Sequence, residues 1–489
     1  MPCRVSCGNC WCWRGWLDEV SQQPRGAPIL RIIVTAAPFI PPFPEPRESL
    51  PGPFEMIRLL RGNILSGFLA RSYQAECIPL HLLGRRMLIV NTPELVRDIF
   101  VLRHDIYGRK SHFMERALAP VIGESLFINH GEAWRERRDA LAPALHPAGL
   151  PQFHPLFTQV AGELAAAWEA AAGGPPHDVA PDLAVATARV VMLAVFGPEV
   201  APAAARDLAT AFAIYQDAVE SIDLAHLLGL PAWVPTPQSR RARRAAGQIR
   251  ALIEDLLRRH ALTAPFARFA AARRDDGGAV LDHAASVDEI AMMLLAGSET
   301  SANALAWALY LAVSHAPTLD RVRAEWQAVL GDGRAPEAAD LPALVFTRAV
   351  VQETLRLYPP VAILSRQAMR ADRIRRWDIR KGGMVACLPW LLQRNALVWD
   401  APHEFRPERF LPDAPEKQPR FAHIPFGLGP RVCAGAAFGM AEMLVFLPVL
   451  LRRLDFTIAP GHRVMPKLRL TLRPDGGLPM LMARRATCA

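Results

Sequence analysis

The chain has 489 residues, 51% of them hydrophobic and 21% charged, an ordinary globular composition with enough apolar residues for a large core. Its formal charge of +9 favours an acidic partner or an anionic surface, but the arginines are scattered and no binding motif accompanies them, so nucleic acid is not an expected partner. The most apolar early stretch, residues 29–43, is broken by Arg31, Pro38, Pro41 and Pro42 and falls short of the roughly 20 apolar residues of a membrane span. Asp18 and Glu19 likewise interrupt any signal-peptide core, so no transmembrane anchor is expected and the protein reads as cytoplasmic.

Residues 1–37 carry Cys3, Cys7, Cys10 and Cys12 without helical or strand periodicity. No second Cys-x-x-Cys pair or histidine follows at zinc-site intervals, so the segment reads as a disordered, Cys- and Pro-containing extension. From 38 to 489 neither a composition shift nor a repeat marks a boundary, and one domain is expected. Trp134 and Arg138 lie one helical turn apart and can reach a single group, with Arg135 and Arg137 as further cations on a solvated or partner-facing side. Residues 287–317 form a long helical pattern with Ala296-Gly297-Ser298-Glu299-Thr300-Ser301 at its middle. Met293, Gly297, Thr300 and Ala304 fall on one face, and an acid beside a hydroxyl in so apolar a helix is costly unless something satisfies or uses it. Glu353 and Arg356, three apart ahead of Pro359-Pro360, are by themselves an ordinary helix pair. Cys77, Cys387 and Cys488 have no evident partner and read as inert thiols.

The most specific signal is Phe426-Gly427-Leu428-Gly429-Pro430-Arg431-Val432-Cys433-Ala434-Gly435. Its Phe, Arg, Cys and three glycines coincide by chance on the order of 10⁻⁸ times per starting position. Gly427 and Gly429 permit backbone angles and close approaches that a Cβ forbids. The apolar run through Met440, Leu444, Phe446 and Leu447 predicts a helix whose N-terminus lies near Cys433, where its free N–H groups favour a thiolate. Arg431 supplies a fixed charge suited to a cofactor carboxylate.

With this loop the chain resembles the cytochrome P450 haem-thiolate monooxygenases, in particular soluble bacterial members, whose haem loop reads F-G-x-G-x-R-x-C-x-G. The resemblance implies a mainly α fold with a small β region (α+β), in one large domain with a long central helix over the haem. It implies haem b as cofactor, with Cys433 as axial ligand of the iron, Phe426 and Gly427 shaping its loop and Arg431 on a propionate. The middle of the 287–317 helix matches A-G-x-[DE]-T-[ST]. Thr300 would then hold oxygen and its water by hydrogen bonds, Glu299 would relay protons, and Ala296 and Gly297 would leave room. Glu353 and Arg356 match E-x-x-R, and Arg409, in Phe405-Arg406-Pro407-Glu408-Arg409-Phe410, would complete a buried structural network with them. Arg366, and Trp134 with Arg138 in W-x-x-x-R, would bind propionates. Gln393 and Ser298 depart from frequent histidines of the family.

The activity so implied is insertion of one oxygen atom from O2 into a hydrophobic molecule of the fatty acid, terpenoid, carotenoid or steroid class. Phe113, Met114, Leu118, Ala296, Val361, Ile363 and Leu478 are the expected pocket residues, and apart from Thr300 the pocket is apolar or small. The chain after Cys433 is too short for a flavin reductase domain. Electrons from NAD(P)H are therefore expected through a ferredoxin or flavodoxin and its reductase, docking on a basic face around Arg135 and Arg137 of a monomer. Two rival readings are a haem-thiolate peroxygenase or isomerase, against which Glu299-Thr300 argues, and a non-enzymatic haem sensor.

Overall fold

The structure is a computed structural model that describes residues 38–485, except parts of 53–61, residues 83–84 and 221–235, and positions 275, 332 and 416. The extension 1–37 with its four cysteines, and Cys488, lie outside the described residues. Phe39–Ala489 forms one compact unit.

Eight helices position the site: α1 His112–Ile122, α2 Gly131–Leu141, α3 His154–Ala171, α4 Val179–Phe196, α5 Pro237–Arg259, α6 His283–Ser314, α7 Val345–Leu357 and α8 Ala436–Arg453. The sequence pattern at 287–317 is α6, whose 32 residues span about 48 Å at 1.5 Å per residue. The Asp282 carboxylate caps it by accepting from the Ala285 N–H at 2.7 Å, and Pro317 in the next helix keeps the two from merging. Apolar residues surround nearly its whole circumference, as a helix through the middle of a large core requires. Neighbouring α4 is long and apolar enough by composition to cross a membrane, with a mean hydropathy of 1.8, and it packs against α6.

Helix α8 starts three residues after Cys433, as the apolar run predicts, and is buried along most of its length against α3 and α6. The β content is small. In the largest sheet, β1 (Cys77–Leu82) and β2 (Arg85–Val90) are antiparallel, β2 runs parallel to β5 (Met384–Cys387), β5 is antiparallel to β4 (Leu364–Gln367), and β4 to β3 (Arg109–Lys110). The register sets Lys110 directly opposite Arg366. Like charges facing each other across strands cost stability unless an anion separates them.

Candidate active site and cofactor cradle

The cysteine loop is a tight turn. The Cys433 N–H donates to the Phe426 carbonyl at 2.9 Å and the Gly427 N–H to the Ile424 carbonyl at 3.0 Å. Both early glycines are left-handed, Gly427 at φ +72 and Gly429 at φ +66, but they do different work. A Cβ on Gly427 would have no atom nearer than the Arg431 carbonyl oxygen at 3.9 Å, whereas one on Gly429 would sit 2.3 Å from the Phe100 carbonyl oxygen. Gly427→Ala should therefore cost only the conformational strain of about 1–2 kcal/mol, while Gly429→Ala must push the loop off the Phe100 backbone. The check is thermal melting and cofactor content of both variants, with Gly429→Ala the one that loses bound cofactor.

Of the three described cysteines, Cys387 is buried, Cys77 half-buried and Cys433 exposed. Packing against protein pushes the Cys433 thiol above its ordinary value, while the Gly435 N–H, Arg138 and Lys110 pull it back down. Arg138 and Lys110 act on this sulfur, and Arg431 and Arg366 lie within electrostatic reach of those two, so four cations gather at the loop. Arg366 on β4 is 4% exposed and donates to the Ser365 carbonyl at 3.0 Å. Arg431 stacks its guanidinium over the Trp134 ring, 4.6 Å to the centroid, and donates to the Leu126 and Asn129 carbonyls. Lys110 rests its ammonium on the Phe127 ring at 4.1 Å, and Arg138 on α2 completes the set.

Among the described residues none of the four pairs with a carboxylate. Burial first, and then mutual repulsion, lowers Arg431 to about 9 and Lys110 well below its ordinary value; burial alone takes Arg366 to about 10. Burial lowers Arg138 too, against the pull of Cys433. So many desolvated cations around one thiol call for an anion with several oxygens. An iron porphyrin with two propionates meets that need: sulfur for the metal, Arg138, Arg366, Arg431 and Lys110 for the acidic arms. Lys110 carries no motif and was not legible in the sequence; its partner in the cradle is fixed only by the β3–β4 register.

On α6, Ala296 is exposed and Thr300 half-buried, and the Thr300 hydroxyl donates to the Ala296 carbonyl at 2.6 Å. Gly297 does not share that opening. A Cβ there would lie 2.8 Å from Val191 Cγ2, so the missing side chain lets α4 approach α6. Ser298 is buried and bonds back to the Leu294 carbonyl at 2.5 Å, its own carbonyl accepting from the Thr187 hydroxyl at 2.9 Å. Glu299 Oε1 accepts from Asn303 Nδ2 and from the Thr471 hydroxyl, each at 2.9 Å.

Of the expected pocket residues, Phe113 is 49% exposed on α1, Met114, Val361 and Ile363 are half-buried, and Leu118 is buried. Leu478 needs correction. It is fully buried beside Asp178 and Val179, with its N–H on Asp178 Oδ1 at 2.7 Å, and the late turn that meets α6 is instead the one bearing Thr471. Arg137 is a second correction. It is not a docking residue but the partner of buried Glu289 on α6, at 2.8 Å, and only Arg135 of that pair is exposed.

Glu353 takes Arg356 in a bidentate pair at 2.6 and 2.7 Å, accepts from the Arg406 N–H at 2.8 Å and has Arg409 Nε at 3.5 Å. Gln393, far from being a neutral departure, is a buried crosslink. Its amide donates to the Leu355 and Arg356 carbonyls at 2.9 Å and its Oε1 accepts from the Ile424 N–H at 2.8 Å, tying this network to the segment that leads into the cysteine loop.

One buried acid escaped the sequence reading. Glu442 on α8 is fully buried, and burial raises it to about 8 against a neighbouring Ser301 hydroxyl that lowers it. Below about pH 4.5 both folded and unfolded chains hold the proton and nothing is lost; between there and pH 8 the unfolded chain ionises while the buried group resists, so stability falls. Glu442→Gln should raise the melting temperature at pH 8.5, by an amount equivalent to ~5 kcal/mol, and leave it nearly unchanged near pH 4.5. Melting curves at the two pH values read this directly.

Comparison with known proteins agrees with the site. The family model described as Cytochrome P450 matches residues 50–480. Cyclooctatin synthase of Streptomyces melanosporofaciens is 29% identical over 412 residues, covering 81% of this chain and 86% of that protein. Cyclooctat-9-en-7-ol 5-monooxygenase of the same organism is 28% identical over 398 residues, covering 80% and 85%. The crystal structure of the cytochrome P450DA heme domain superposes with a TM-score of 0.78 at 21% identity, over 92% of this chain and 99% of that one.

Proposed function

The chain belongs to the cytochrome P450 family and is a P450 monooxygenase, and from that premise we propose that it hydroxylates or otherwise oxygenates an apolar, cyclic terpenoid-like molecule with electrons from a separate protein donor. The observation that carries the cofactor assignment is the convergence of four carboxylate-free cations on the loop of Cys433. Haem, when bound, supplies the iron centre at which O2 is reduced with two electrons and one of its oxygen atoms passes to substrate. Cys433 would hold it through sulfur, and Arg138, Arg366, Arg431 and Lys110, with the Trp134 indole, would hold its propionates.

The remaining steps belong to α6. Thr300 donates a hydrogen bond from its hydroxyl to the Ala296 carbonyl at rest and can turn the same group toward the open side. Glu299, with Oε1 engaged by Asn303 and Thr471 and Oε2 without a protein partner among the described residues, would pass protons inward from solvent. Phe113, Met114, Val361 and Ile363 offer apolar surface and no charge, which fits a substrate of the class that the relatives' names describe. The electron donor we assign is an acidic ferredoxin or flavodoxin served by NAD(P)H, in a cytoplasmic setting. Its docking face keeps Arg135 but not Arg137, which the Glu289 pair consumes.

A ligand-induced spin-shift titration of the holoprotein tests this reading with one panel of cyclic terpenoid alcohols, fatty acids and steroids. The terpenoid alcohols should give the largest shift; a response confined to linear fatty acids would overturn the substrate class. With a responding compound, Thr300→Ala should keep the spin shift and lower product formation by about 10²-fold, the scale of one positioned proton-transfer group.

A further inference from the structure

The hairpin formed by Pro466–Leu468 and Leu472–Pro474 is anchored at its base and ends at the oxygen-side helix. Asn63 Nδ2 donates to the Pro466 carbonyl at 2.7 Å, the Leu472 N–H to the Pro360 carbonyl at 2.9 Å, and Trp307 Nε1 of α6 to the Leu472 carbonyl at 3.1 Å. In the turn between its strands, buried Thr471 points its hydroxyl at α6. That hydroxyl donates to Glu299 Oε1 at 2.9 Å and accepts from Asn303 Nδ2 at 3.1 Å, while Asn303 Nδ2 also donates to the same Glu299 oxygen at 2.9 Å. A closed triangle of three polar groups thus fixes one oxygen of the carboxylate. Two of its corners sit one turn apart on α6, and the third comes from a turn 172 residues away in sequence.

We propose that Thr471 is a positioning residue for Glu299: its hydroxyl sets which carboxylate oxygen faces the helix and which faces the open side, and so ties proton delivery to the hairpin. Asn303 alone cannot do this. It shares the helix with Glu299 and moves with it, whereas Thr471 fixes the carboxylate against a separate part of the fold. The hairpin is also bonded to the Pro360 carbonyl, directly ahead of Val361 and Ile363, two pocket residues. A substrate pressing on that wall therefore has a mechanical route to the acid. This inference rests on the relay role given to Glu299 above.

The test uses holoenzyme with its electron donor and Thr471→Val, which keeps shape and removes the hydroxyl, beside Thr471→Ser, Glu299→Gln and the Thr471→Val/Glu299→Gln double variant. Three quantities are read: substrate affinity by spin shift, product formed per O2 consumed, and the pH dependence of that ratio. Thr471→Val should leave affinity within about twofold and lower product per O2 by about 10-fold, the lower end of the scale of one hydrogen bond to a charged group. The lost electrons leave as hydrogen peroxide, each O2 taking two electrons and two protons. The pH profile of the ratio should move, Thr471→Ser should restore it, and the double variant should be no worse than Glu299→Gln alone. Wild-type coupling in Thr471→Val beside a defective Glu299→Gln overturns the inference only. A drop in affinity with unchanged coupling makes Thr471 a pocket wall and also overturns it. A fully coupled Glu299→Gln overturns the relay role of Glu299 itself and the inference with it.

Discussion

Cys433→Ala should give a folded chain that has lost its thiolate signature: the carbon monoxide complex of the reduced protein no longer shows the red-shifted band of sulfur ligation, and product formation falls to background. The two other described cysteines cannot replace this sulfur, since Cys387, although it lies near Arg366, is buried in the sheet and Cys77 lies on β1. On the proposed assignment, removing the Cys433 sulfur would delete the thiolate that holds the iron and favours O–O cleavage, while Arg138, Arg366, Arg431 and Lys110 would still be there to hold the acidic arms. Some cofactor should therefore remain bound. Circular dichroism separates loss of ligation from loss of fold, and a variant that keeps both the thiolate band and turnover would sink the assignment.

The second large effect is structural. Arg356 is fully buried and every one of its donors is used: Nε and one Nη2 proton on Glu353, the other Nη2 proton on the Glu404 carbonyl, and Nη1 on the Gln393 and Pro402 carbonyls at 2.8 and 2.7 Å. Arg356→Leu strands the Glu353 carboxylate and three carbonyls in the interior. Breaking a buried pair from one side costs about 3–5 kcal/mol, a large part of the 5–15 kcal/mol that holds a typical domain together. Little soluble holoprotein should be recovered, and Arg356→Lys should not rescue it, because an ammonium cannot reach all of these acceptors from one planar fork. Glu353→Leu/Arg356→Leu should lose less than the two single changes summed, since the pair goes together and only Arg409, 3.5 Å from Glu353, is left without its carboxylate. Wild-type melting of Arg356→Leu would show that the network carries no such weight.

The local motifs were legible because each is a short-range demand of the backbone. Gly427 and Gly429 announce left-handed turns, the apolar run after Cys433 announces α8, and Ala316-Pro317 closes α6 within three residues of the expected end. Glu353 and Arg356 lie one turn apart, so their pairing follows from helix geometry, although their complete burial does not. Misreadings arose where a residue's partner lies far along the chain. Arg137 has the spacing of an exposed basic patch and meets Glu289, 152 positions away; Gly297 sits beside the oxygen motif and serves Val191 on α4; Leu478 belongs to the interior while Thr471, a few residues earlier, reaches α6.

By itself, then, the sequence determined the family and with it the chemistry, and it pointed to the Cys433 loop, the long helix α6 and the Glu353–Arg356 pair, since each depends on residues within one or two turns of one another. Only the tertiary structure decided that Lys110 faces Arg366, that Thr471 holds Glu299 and that Arg137 is spent inside the molecule. Those pairings follow from sheet register and from which helix faces meet, and such contacts leave no period or spacing for a sequence to display.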